Sequence, residues 1–118
     1  MTAQNATMAP ASVAIAEADG EILAWAVAQC EGLKTYPYLL SNGWQRFEPH
    51  RNPNQAHAVI RRAQIDLVID EAADPAVQHV AIRRGPAGRT VSRGPTPWVA
   101  AMRCRVASEL GERIQLRP

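Results

Sequence analysis

The chain has 118 residues, enough for one domain with a real core and too few for two. It is 47% hydrophobic and 20% charged, a globular composition, and no apolar run approaches the roughly 18–20 residues that a membrane helix needs. The net charge of +2 is unevenly placed: residues 1–78 carry five basic and nine acidic side chains, residues 79–118 eight arginines against Glu109 and Glu112.

Such asymmetry marks either a solvated face or a surface for nucleic acid or an acidic protein. The solvated face is the plainer reading. Lys34 is the only lysine among thirteen basic residues, and alanine and proline are abundant, as in a GC-rich genome that chooses arginine codons.

Residues 1–18 contain no basic side chain and only short runs of small apolar residues. They lack the pattern of a secretory signal and offer little bulk to bury, so a disordered lead-in is expected, followed by a single domain over 19–118. The first helix follows: Asp19 as N-cap, Glu21 in the first turn, Gly32 as left-handed stop, and Ile22, Leu23, Ala26, Val27 and Cys30 as its apolar stripe. Trp25 flanks that stripe. Around Ser41-Asn42-Gly43, a turn signal, Tyr38–Leu40 and Trp44–Phe47 are expected to form a loose hairpin, bounded by Pro37 and Pro49.

Asn52-Pro53 opens a second helix with Ala56, Val59, Ile60 and Ala63 inward and Arg61, Arg62 and Gln64 outward. Residues 65–70, IDLVID, suit a strand better than a helical extension because they are rich in β-branched side chains. Val77–Arg84 and Arg89–Arg93 read as a hairpin around Gly85-Pro86-Ala87-Gly88, with Val80 and Ile82 on an apolar face and His79, Ala81 and Arg83 on the other. The third helix has Thr96 as cap, Pro97 at its first position, Gly111 as stop and a Val99/Met102/Val106/Leu110 stripe. Glu112–Leu116 is expected to form a last short strand. Three helices with short strands predict an α+β domain: a small antiparallel sheet with about three helices packed on it, in two or three layers.

Chemistry-bearing motifs are scarce. There is no dinucleotide or phosphate-binding glycine motif, no HExxH, and no GxSxG around a serine. Cys30 and Cys104 fall in apolar helical patterns and read as buried, reduced thiols. Glu48, His50 and His57 could gather as a metal-assisted hydrolase only if the loop folds back, and their spacing matches no standard site. Asp66/Asp70 and Glu109/Glu112 are better read as solvated pairs than as acid–base couples. No catalytic residue, metal ligand or cofactor site is therefore assigned. The best candidate binding group is Arg83, Arg84, Arg89 and Arg93 on the second hairpin, since guanidinium forks on a β-ribbon suit phosphate oxygens.

Two stretches carry a family resemblance: Trp25, Ala26, Val27, Ala28, Cys30, Glu31 and Gly32, then Thr96, Pro97, Ala100, Ala101, Met102, Arg103, Val106, Ala107, Ser108, Leu110 and Gly111. With these residues the chain resembles the NinX-type proteins of lambdoid phages. Gln55-Ala56, Val59–Arg62 and Ile65 are similar to that family's middle helix and following strand. The chain departs from the pattern in a longer N-terminus, in Trp98, and in an insertion-like stretch over 71–94. The resemblance implies a phage or prophage source, a bacterial host cytoplasm and an α+β fold, not a reaction.

The expected function is thus an accessory protein, not an enzyme, that binds a host or phage macromolecule. The alternative is a nucleic-acid-binding protein using the arginine-rich hairpin at 83–93. Arg103 joins the candidate residues, because it matches the family beside an apolar stripe and has no evident structural partner.

Overall fold

The computed structural model describes residues 12–40, 43–86 and 88–115. Each helix opens where a short polar side chain takes up a free backbone N–H. Asp19 accepts from Gly20 N at 2.8 Å ahead of α1 (Gly20–Glu31), and Asn52 accepts from Asn54 N at 3.0 Å and Gln55 N at 3.2 Å ahead of α2 (Pro53–Ala63). Thr96 accepts from Val99 N at 3.1 Å ahead of α3 (Pro97–Leu110). Gly32 closes α1 in the left-handed region, and Gln64 does the same after α2 at φ 59° despite its side chain.

The fold is α+β, and its strands form three antiparallel sheets where one was expected. β1 (Ser12–Ala14) pairs with β7 (Arg113–Gln115), and β2 (Tyr38–Leu40) pairs with β3 (Trp44–Arg46) as the anticipated hairpin. The largest sheet has the order β4-β5-β6, from β4 (Ile65–Ile69), β5 (His79–Gly85) and β6 (Gly88–Gly94). Residues 65–69 are thus a strand, as their β-branching implies. Val77 belongs instead to a short 3-10 turn, Pro75–Val77, that leads into β5.

Helix α3 is the hub. It packs on β5 and β6, and also on α1 and α2, so it forms a middle layer between sheet and helices. All eight residues from Val99 to Val106 are buried, leaving no solvent face at its centre. The fit to β6 is close enough to demand glycine at position 94. A Cβ there would stand 2.9 Å from Ala100 N and 3.0 Å from Val99 Cγ1.

Four sequence-based expectations are corrected. Residues 12–18 are an integral part of the fold: β1 pairs with β7, Ile15 and Ala18 are buried, and Ile15 N donates to Glu112 O at 2.9 Å. The remainder of the expected lead-in lies outside the described residues, as do Ser41, Asn42 and Leu116. Leu110 and Ile22, at the edges of their stripes, are exposed, while Leu23, Ala26 and Val27 are buried as expected and Ala24 and Ala28 join them. In β5, the side facing α3 carries Ala81 and Arg83, since only a small residue fits under that helix; Ile82 lies on the opposite side. The β7 strand is also shorter than expected, with Ile114 fully buried.

Candidate binding surface

Strand alternation sorts the arginine-rich hairpin into two faces. On the helix-facing side stand Arg83 and Thr90, Ala81 and Ser92, then His79 and Gly94. On the open side stand Arg84 and Arg89, then Asp66, Ile82 and Val91, then Val68, Val80 and Arg93. The four candidate arginines therefore do not form one patch.

Arg83 turns inward. Its Nε donates to Ala63 O at 2.9 Å and its Nη1 to Ser108 Oγ at 2.7 Å, so the guanidinium caps the carbonyl end of α2. Arg93 reaches Asp70 Oδ2 at 3.3 Å and Val77 O at 3.0 Å, and so holds down the 3-10 turn. Arg84 meets Asp66 Oδ2 at 3.1 Å with both side chains largely in solvent, a pair worth little energetically. Arg89, directly across from Arg84, is exposed and has no hydrogen bond or ion pair among the described residues.

Arg103 is the clearest correction. Far from lacking a structural partner, it is 7% exposed and donates from Nε to Ala18 O at 2.8 Å and from Nη1 to Arg93 O at 3.0 Å. Burial pulls its pKa down, against the opposing charge of Asp19. It ties the junction ahead of α1 to the outer edge of β6, and is not available as a surface contact.

Sequence reasoning missed Arg105 altogether. This buried side chain donates to Glu31 Oε2 at 2.8 Å, Glu109 Oε1 at 2.8 Å and Cys30 O at 3.0 Å. Glu31 also accepts a bond from Arg62. Burial alone would raise the Glu31 pKa, but hydrogen bonds and charge from Arg62 and Arg105 outweigh it and hold the carboxyl below its usual range. The i,i+4 spacing of Arg105 and Glu109 was the one local sign of this network.

The other candidates disperse. His57 packs edge-on against Trp98, with ring centroids 5.2 Å apart. Glu48 faces Arg51 at 3.7 Å, and the buried Nδ1 of His50 has no hydrogen-bond partner. Among the described residues no group of three His, Cys, Asp or Glu side chains is placed to hold a metal ion. Asp66 and Asp70 each face a different arginine, and Glu109 faces Arg105. Both cysteines are free thiols, with pKa values pushed up to about 11 by burial.

What the open side of the sheet does present is apolar. Val68 is 52% exposed, Val91 47% and Val77 39%, around the half-buried Ile82. Charged pairs border this strip: Arg84 with Asp66, and Arg93 with Asp70. Beyond Val91 and Val77 the strip runs into a cleft of about 510 Å³ between β6 and the segment Ala14–Ala16. A second apolar feature is the β2–β3 hairpin, where exposed Trp44 meets Tyr38 edge-on at 5.8 Å.

These features define a three-helix α+β domain with its arginines largely committed to carbonyls and carboxylates and one sheet face left open. The chain belongs to the bacteriophage P22 NinX family, whose family model matches residues 14–109. It is a phage protein. No curated protein matches the chain, and among the described residues no helix is long and apolar enough to cross a membrane.

Proposed function

We propose that this phage accessory protein acts by binding a protein of host or phage origin, without catalysis, through the open face of the β4-β5-β6 sheet. The observation that supports it is the exposed Val68/Val91/Val77 strip, bordered by paired charges and continuous with the 510 Å³ cleft. An apolar centre with a polar rim is the usual anatomy of a protein interface. Arg89, with no ion-pair partner among the described residues, favours a partner that places a carboxylate near the hairpin tip. The work belongs in the cytoplasm of the bacterial host, where such partners are made, and the reading requires no cofactor.

A photocrosslinking side chain at Val91 should capture a defined protein in infected-cell lysate, and Val68→Asp should abolish the capture. Capture from Trp44 and not from Val91 would transfer the surface to the β2–β3 hairpin and defeat this assignment.

Nucleic acid is the less favoured partner. Arg84 and Arg89 stand side by side across the ribbon, which suits phosphate, but Arg83, Arg93 and Arg103 are spent within the fold and no aromatic ring accompanies them on the strip. Nucleic-acid binding through this ribbon predicts retention that falls log-linearly with salt, less steeply after Arg84→Gln/Arg89→Gln.

A further inference from the structure

The two outer edges of the main sheet are treated differently. At β6, the outward carbonyl of Arg93 accepts from Arg103, and the 3-10 turn Ile15–Glu17 packs alongside. At β4, the bond from Asp70 N to Gln78 O at 2.8 Å fixes the alternation: even-numbered residues bond inward to β5. Ile65, Leu67 and Ile69 therefore turn their N–H and C=O groups outward. None of these groups meets a partner among the described residues. The edge has no proline, lysine or bulge, and the charge of its one ionisable residue, Asp66, is paired with Arg84.

We infer that β4 is a homodimer interface, pairing antiparallel with β4 of a second copy about a two-fold axis through Leu67. This goes beyond the open-face reading: it rests on the outward backbone of β4 and on Ile65, Leu67 and Ile69, and shares only Asp66 and Val68 with that face. The register is self-complementary. Leu67 meets Leu67, and Ile65 meets Ile69 of the second copy, with up to six new backbone hydrogen bonds. Ile69, 52% exposed, then sits beside Ile65 at a cleft of about 450 Å³ that Ile60, Arg61 and Gln64 also line. Its vacancy on one copy matches the protrusion on the other, as an isologous contact requires.

Charge agrees with this register. Arg61 and Glu71 are exposed and have no ion-pair partner among the described residues. Pairing Ile65 with Ile69 brings Arg61 of one copy to the end of the interface where Glu71 of the other lies. Asp66 falls opposite Val68, so no like charges are directly opposed. Five-residue edges bury less than the about 1,200 Å² of a standard interface, so dissociation in the range of roughly tens of micromolar is expected.

Sedimentation velocity over a concentration series of the full chain tests this. The wild type should shift from 12.9 kDa to twice that mass. Ile69→Lys and Arg61→Glu should each weaken the dimer at least about tenfold, and Arg61→Glu combined with Glu71→Arg should recover most of the loss. The exposed swap pair keeps the test valid even if Ile69→Lys perturbs folding. A wild type that stays monomeric to about 1 mM would overturn the proposal. So would a dimer indifferent to Ile69→Lys and Arg61→Glu, or one broken by Val91→Asp instead. Slow amide exchange at Leu67 and Ile69 in a monomer would show the edge covered within one chain, and would equally overturn it.

Discussion

Replacing Arg103 with methionine isolates the role of the arginine that links α3 to the rest of the fold. Methionine keeps most of the stem but removes the donors to Ala18 O and Arg93 O. The buried Ala18 carbonyl left without a donor costs about 1–3 kcal/mol, and the partly buried Arg93 carbonyl less. Part of that is offset because the burial cost of the guanidinium also disappears, which leaves a net loss of about 2–4 kcal/mol. For a domain of this size that is a fall in melting temperature of roughly 10 °C. Urea melts followed by circular dichroism, with calorimetry as a second readout, measure it. Arg103→Lys should lie between the two, since one ammonium replaces a two-armed donor. Arg89→Met, at an exposed site, should stay within about 0.5 kcal/mol of wild type. If Arg103→Met did the same, the structural role assigned to Arg103 would be wrong.

Gly94→Ala should destabilise by about 1–3 kcal/mol in urea melts, because the new Cβ meets the α3 backbone, which cannot move independently. Acid unfolding reports on Glu31. Its folded pKa is depressed, so its contribution to stability is complete above the ordinary value of 4.5 and is lost as pH falls through the folded value. Glu31→Gln should therefore flatten the stability profile below pH 4.5 and lower the plateau above it. With thiol pKa values of about 11, native Cys30 and Cys104 should react with iodoacetamide at pH 7.5 far more slowly than the same residues in urea. Equal rates would show that burial does not protect them.

The legible parts of this fold were the local ones. Asp19, Asn52 and Thr96 announce helix starts within three residues of the N–H groups they cap, and Gly32 announces a stop. The strand at 65–69 declared itself by its β-branched side chains. Which side of a helix is buried was less legible, because α3 lies between two layers and its alanines bury as fully as its larger residues. Of the expected stripe, Val99, Met102 and Val106 are buried as read, and only Leu110, at the helix end, is exposed. The partners of the arginines were not legible at all. Arg103 bonds a carbonyl 85 residues away and Arg105 one 75 residues away, and a carbonyl carries no side-chain signature. The charge asymmetry was real in the sequence, but folding commits Arg83, Arg93, Arg103 and Arg105 to carbonyls and carboxylates of the chain itself.

The open sheet face is the central claim, and crosslinking from Val91 tests it most directly. A photoreactive side chain at Val91 should yield one discrete adduct with a host or phage protein, lost on Val68→Asp and kept on Arg84→Gln/Arg89→Gln at moderate salt. An adduct that survives Val68→Asp but disappears when the two arginines are neutralised, or that consists of nucleic acid, would contradict the account.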